Sequence, residues 1–99
     1  MTFEEHVQRA LEAVPDELAE RLRNVAIVIE DEHPQEPDLY GLFDQPEFLP
    51  AKVTIYRLPL EADFADPAQL EHEIRVTVLH ELAHYFGIDE ERLAELGYG

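Results

Sequence analysis

The residues that carry the most chemistry in this chain are His80, Glu81 and His84, which form the pattern His-Glu-x-x-His, followed three residues later by Gly87. On a helix, residues four apart share a face, so the two imidazoles point toward one place. Two neutral imidazoles are half of a tetrahedral Zn²⁺ site. Glu81 is rotated about 100° from His80 around the helix axis, which sets its carboxylate beside such an ion. A zinc ion lowers the pKa of a water molecule from near 16 to about 7 and polarises a carbonyl. Glu81 is then placed to accept the water's proton and pass it to a leaving amine. The pattern therefore points to hydrolysis of a peptide bond with Glu81 as general base.

Such a site needs a third protein ligand and leaves one position open. Gly87 suits the left-handed residue that ends a helix, so the chain can fold back there. Glu90, ten residues after His80, stands where a three-ligand site with a glycine turn places it, and is preferred. Asp89 is the alternative, although its independent role is to cap the helix that follows. Negative charge developing on the carbonyl oxygen also calls for a donor. Tyr98, Tyr85, Tyr56 and Tyr40 qualify by chemistry. Tyr98 is preferred, because a last helix can swing the C-terminus back toward the metal. The remaining histidines read as structural: His6 and His72 as exposed helix residues, His33 as a solvated loop residue.

The motif must ride on a long helix. Asp66-Pro67-Ala68-Gln69 is a strong start, with Asp66 as cap, Pro67 in the first helical position and Gln69 three residues after the cap. The spacing of Leu70, Ile74, Thr77, Val78, Leu82 and Tyr85 predicts a helix from Pro67 to about Phe86, roughly 20 residues or 30 Å. Its second half carries few charges and is expected to be largely buried. A buried segment with two His and a Glu is a local conflict of the kind that marks sites. A short helix capped by Asp89 should follow, with Leu93 and Leu96 inward.

Before it, Thr2 and Glu5 form a capping-box pattern, and Phe3, Val7, Ala10, Leu11 and Val14 recur at helical spacing. Pro15 restarts the helix at Asp16. Val25-Ala26-Ile27-Val28-Ile29-Glu30 reads as a strand with both faces covered. Residues 31–38 hold two prolines and read as a loop. Leu39-Tyr40-Gly41-Leu42-Phe43 is either a short strand or a structured turn. Lys52-Val53-Thr54-Ile55-Tyr56-Arg57 alternates as a strand with one wetter face, and Leu58-Pro59-Leu60-Glu61 leads away from it.

Composition sets the outer limits. The chain has 99 residues, 45% of them apolar, enough for one modest core and one domain over residues 1–99. It has no Cys, which excludes disulfides, thiolate zinc sites and cysteine nucleophiles. Twenty-three acidic residues against seven basic give a formal net charge of −16. A phosphate backbone is repelled by such a field, so nucleic acid is not an expected partner. No apolar run approaches the roughly 18 residues of a membrane span. The N-terminus lacks the basic and apolar regions of a signal peptide, so a cytoplasmic location is expected.

Leu39-Tyr40-Gly41-Leu42-Phe43, Val53-Thr54-Ile55-Tyr56-Arg57 and above all residues 77–88 through Leu96-Gly97-Tyr98 resemble the minimal zincin-like family, short acidic bacterial proteins described as possible zinc metallopeptidases. The resemblance implies an α+β fold, with a small mixed β-sheet packed against the long helix that bears the motif. It also implies a site of the form His-Glu-x-x-His-x-x-Gly-x-x-acid, with metal ligands His80, His84 and Glu90 around Zn²⁺. The larger metzincins carry a His at the last position and a Met-containing turn; here the only Met is Met1. Two functions are consistent with these readings. One is a zinc metallopeptidase acting on peptides or proteins, with a strand edge at residues 52–57 pairing with the substrate backbone. The other is a metal-binding or interaction protein that keeps the scaffold without turnover.

Overall fold

A computed structural model describes residues 1–87 and 89–98. Among these the order is α1 (Phe3–Glu12), α2 (Asp16–Leu22), β1 (Val25–Glu30), β2 (Gly41–Asp44), β3 (Ala51–Tyr56), α3 (Arg57–Asp63), α4 (Pro67–Phe86) and α5 (Glu90–Glu95). The strands form one mixed sheet in the order β1-β3-β2. β1 runs parallel to β3 with Ile27 opposite Val53, and β2 runs antiparallel to it with Phe43 opposite Val53. This is the α+β arrangement, a small mixed sheet against a long helix, that the resemblance implies.

The helix ends follow local chemistry. The Thr2 hydroxyl accepts the Glu5 N–H while Glu5 accepts the Thr2 N–H, which completes the capping box of α1. Asp66 accepts the Gln69 N–H at 3.0 Å at the start of α4, and Gly87 ends that helix at φ 65°, ψ 29°. Asp89 accepts the Glu91 N–H at 2.9 Å and so caps α5.

The long helix is the spine of the molecule. Leu70, Ile74, Val78 and Leu82 of α4 bury against Val25, Val53 and Ile55 of the sheet and Phe3, Val7 and Ala10 of α1. Leu79 and Ala83, around the helix from these, bury against Val14, Leu18, Leu93 and Tyr98. Together the buried positions occupy about half of the helix circumference at 100° per residue. The expectation that the second half of α4 is largely buried therefore holds for that arc alone. Thr77, His80 and Glu81 are partly exposed, and His84 and Tyr85 are exposed.

Several other local readings are corrected. β1 is covered fully on neither face: Val25, Ile27 and Ile29 join the core, while on the other face Val28 is half-buried and Ala26 and Glu30 are exposed. The wetter face expected for β3 is dry at Thr54 and Tyr56, each 4% exposed. There the loop of residues 31–40 folds over the sheet, and the His33 ring stands edge-on to Tyr56 at 5.8 Å. His33 Nδ1 also accepts the N–H groups of Gln35 and Glu36, so it shapes that loop. Residues 57–63 turn into α3, because Pro59 falls in the first turn, where its missing N–H costs no helical bond. Leu60 of that turn is fully buried. His6 is not a surface residue: its side chain is 12% exposed and its Nδ1–H donates to Glu71 Oε2 on α4 at 2.6 Å. No helix among the described residues is long and apolar enough to cross a membrane.

Candidate metal and active site

The arc of α4 left free of the core carries Glu73, Thr77, His80, Glu81 and His84, with Val76 at its margin packed against the second cluster. Four of these lie about 60–100° or less apart around the axis, so the motif opens on one side of the helix. That side faces a cleft of about 430 Å³ lined by Asp38, Leu39, Tyr40, Gly41, Glu73, Val76, Thr77, His80 and Glu81. Its far wall is the loop that enters β2 and the first residue of that strand.

Glu81 reaches across this cleft. Its Oε2 accepts the N–H of Phe43 at 3.1 Å. The direction of that N–H follows from the register. Tyr40 C=O accepts the Tyr56 N–H, so even-numbered residues of this segment turn their main-chain groups toward β3 and odd-numbered ones turn theirs outward. Gly41 makes the approach of β2 to α4 possible. A Cβ at this position would lie 2.5 Å from Thr77 Cγ2 and 3.2 Å from the Thr54 carbonyl. Thr77 cannot easily turn away, because its hydroxyl donates to the Glu73 carbonyl at 2.8 Å. The central Gly in an otherwise apolar run was the one sequence signal of this contact.

His80 is held from the other side. Its Nε2 lies 2.8 Å from the backbone carbonyl of Tyr98. A carbonyl only accepts, so the nitrogen carries the proton and, in the neutral ring, the lone pair is on Nδ1. His84 lies one turn further and is exposed. Glu90 is the first residue of α5 and is exposed, and Asp89 beside it spends its carboxylate on the helix cap. Among the described residues no group of three His, Asp or Glu side chains is gathered closely enough to hold a metal ion. The structure thus brings His80 and Glu81 to one cleft, sets His84 on the same arc of α4, and leaves Glu90 apart on the next helix. By donor type, two imidazoles and a carboxylate suit zinc, but the described residues do not bring the three together.

The tyrosines divide clearly. Tyr98 presents its carbonyl to His80, while its ring stacks on His72 with centroids 5.8 Å apart, two helical turns before His80. His72 is therefore a packed residue, not a free surface one. Tyr56 is buried on the outer face of the sheet, and Tyr85 leans on Phe43 at 4.8 Å. Tyr40 is the tyrosine that lines the cleft with His80 and Glu81. Its hydroxyl donates to the Asp63 carboxylate, and that bond, then burial and the charges of Asp63, Glu73 and Asp38, pushes its pKa up to about 12. It remains a protonated donor throughout the neutral range.

Two groups at this site left no trace in the sequence, the Phe43 amide and the Tyr98 carbonyl. Both belong to the main chain, which every residue shares. The strand edge expected at residues 52–57 is also corrected, since β3 is the central strand and pairs on both sides. The edge that borders the cleft is β2. Residues 22–99 match the family described as Zincin-like metallopeptidase. No curated protein matches the chain.

Proposed function

The chain belongs to the zincin-like metallopeptidase family, and from that premise we propose that it hydrolyses peptide bonds with one zinc ion held by His80, His84 and Glu90. The observation that carries this reading is the placement of the motif: His80 and Glu81 border one open cleft, and the base is held across it by the edge strand. When bound, zinc supplies Lewis acidity toward a carbonyl and toward water. Glu81 accepts a proton at Oε1, the oxygen that the Phe43 amide does not hold, and returns it to the leaving nitrogen. Asp89 is committed to the cap of α5, which favours Glu90 as third ligand. Tyr40 is the tyrosine on this cleft, and it would have to turn its O–H from Asp63 to donate to a developing oxyanion. A substrate in extended form would pair with the outward main-chain groups of β2.

A second reading is a metal-binding or interaction protein without turnover. The observation that favours it is the Phe43–Glu81 hydrogen bond, which gives the glutamate a structural use of its own. One variant separates the two. In Glu81→Gln the side-chain oxygen still accepts the Phe43 N–H, so the cleft is kept while the base is lost. The peptidase reading expects zinc stoichiometry of one per chain in both proteins, with cleavage of a peptide library slowed by about 10²–10⁴ in the variant. Equal cleavage by the two proteins removes Glu81 as base, and one zinc with no cleavage by the native chain selects the second reading.

A further inference from the structure

β1 lies at the outer edge of the sheet, with β3 on one side and no strand on the other among the described residues. It pairs with β3 in one unbroken register, and it holds no proline, no lysine and no charge before Glu30. Natural sheets blunt an open edge with such residues or with a bulge. The direction of its main-chain groups follows from β3. Even-numbered residues of β3 bond to β2, so the odd-numbered ones turn toward β1 and meet the main-chain groups of Ala26, Val28 and Glu30. The N–H and C=O groups of Val25, Ile27 and Ile29 therefore point out of the sheet. Among the described residues none of them has a main-chain partner.

Beside this edge runs a groove of about 390 Å³, with Leu11, Ala19, Leu22 and Ile27 in its lining. Charge is divided along the strand. Arg23, just before it, is exposed and makes no ion pair among the described residues. Glu30 and Asp31, at its far end, are exposed, and Asp31 gives Arg57 only its Oδ1.

We propose that β1 pairs antiparallel with β1 of a second copy of this chain, about a two-fold axis through Ile27, to form one continuous sheet. In that register Ile27 bonds to Ile27 of the copy and Val25 to Ile29 of the copy, so every outward group of both strands finds a partner. The two apolar grooves meet edge to edge across the axis. The charges fit this order: Arg23 of each chain comes to the acidic end of the other, whereas a parallel pair sets like charges side by side. Each copy carries a net charge of −16, and at about 0.15 M salt that repulsion is screened beyond roughly 8 Å. One strand and a groove edge make a small interface, so the dimer is weak. The pairing needs no metal and stands apart from the zinc reading of the motif.

The test starts with the native chain at about 0.15 M salt. In sedimentation equilibrium its mass should rise from monomer toward dimer between about 10 μM and about 1 mM chain. Over that range amide exchange at Ile27 and Ile29 should slow, while Ala26 and Val28, already bonded to β3, stay unchanged. Arg23→Glu and Asp31→Lys should each weaken association about tenfold or more. An equal mixture of the two should return to near-native association, since each contact in the mixed pair again joins opposite charges. Circular dichroism of both variants should match native helix content. A native chain that keeps monomer mass at about 1 mM overturns the proposal, as does a dimer whose Ile27 and Ile29 amides exchange as fast as in the monomer. A mixture that associates no better than its components overturns the antiparallel pairing. Native mass and exchange decide even where a variant does not fold.

Discussion

At the scale of single residues, the two neighbours Asp89 and Glu90 show how chemistry is divided. Both are carboxylates at the start of α5. Asp89 sits one position before the helix and accepts the Glu91 N–H; Glu90 is the first helical residue and is exposed. An N-cap is worth about 1 kcal/mol, whereas an exposed carboxylate in the first turn adds only a few tenths through the helix dipole. Asp89→Ala is therefore expected to lower stability by about 1 kcal/mol in urea unfolding and to leave zinc affinity within about threefold of native. Glu90→Ala should do the reverse. Stability stays within about 0.5 kcal/mol, and zinc affinity falls by more than the roughly 10–100-fold that loss of a supporting group costs. Equal zinc affinity in Glu90→Ala and native protein would remove Glu90 from the ligand set. The cap at Asp89 was legible in the sequence, because capping has a fixed spacing. The sequence could not say how near Glu90 comes to His80, because that distance spans a turn whose path no pattern encodes.

At the scale of elements, the cleft depends on how closely β2 approaches α4. Gly41 faces Thr77, and the Thr77 side chain is tied to its own helix. Gly41→Ala must push the strand outward or distort its pairing with β3, which overpacking studies put at about 1–3 kcal/mol. The same displacement lengthens the Phe43–Glu81 hydrogen bond. The expected outcome is a lower thermal midpoint together with an altered cleavage rate at unchanged zinc affinity, since His80 and His84 are on the helix and not on the strand. A Gly41→Ala protein as stable as the native one would show that β2 is not seated against α4 at this point. Sequence reading left residues 39–43 open between a strand and a turn, and the reason is physical. Four residues make a strand only when a neighbour pairs with them, and the neighbour here, β3, follows later in the chain. The same holds for α3, whose Pro59 looks like a breaker until its position in the first turn is known.

At the scale of the whole molecule, α1 and α4 are joined across the core by a partly buried pair. Glu71 on α4 accepts the His6 Nδ1–H at 2.6 Å, with Arg9 Nε at 3.5 Å from its other oxygen. The hydrogen bond from His6, with the charges of Arg9, His6 and Arg75, holds the Glu71 carboxyl below its ordinary value of 4.5. A carboxyl whose pKa is lowered on folding adds stability that is fully present above the ordinary value. As pH falls below about 4.5 the unfolded chain takes up the proton first, and the contribution is gone once pH passes below the lowered folded value. Urea midpoints of native protein and Glu71→Gln should therefore differ most above pH 5 and converge as the pH drops toward 3. A constant gap across that range would show that the pair adds nothing that depends on its charge.

The sequence by itself determined the motif, the helix that bears it and the ends of that helix. Each is a matter of spacing within one segment: imidazoles four positions apart, an aspartate and a proline at the start, a glycine at the stop. It also carried the family, since residues 22–99 hold the pattern. Only the tertiary structure decided which arc of α4 stays open, that β2 and not β3 is the edge beside Glu81, and that His6 is locked to Glu71. It alone set the Phe43 amide on Glu81 and the Tyr98 carbonyl on His80. These are meetings between segments 18 to 65 residues apart. Two of them are made by main-chain groups, which look the same at every position until the fold brings them together.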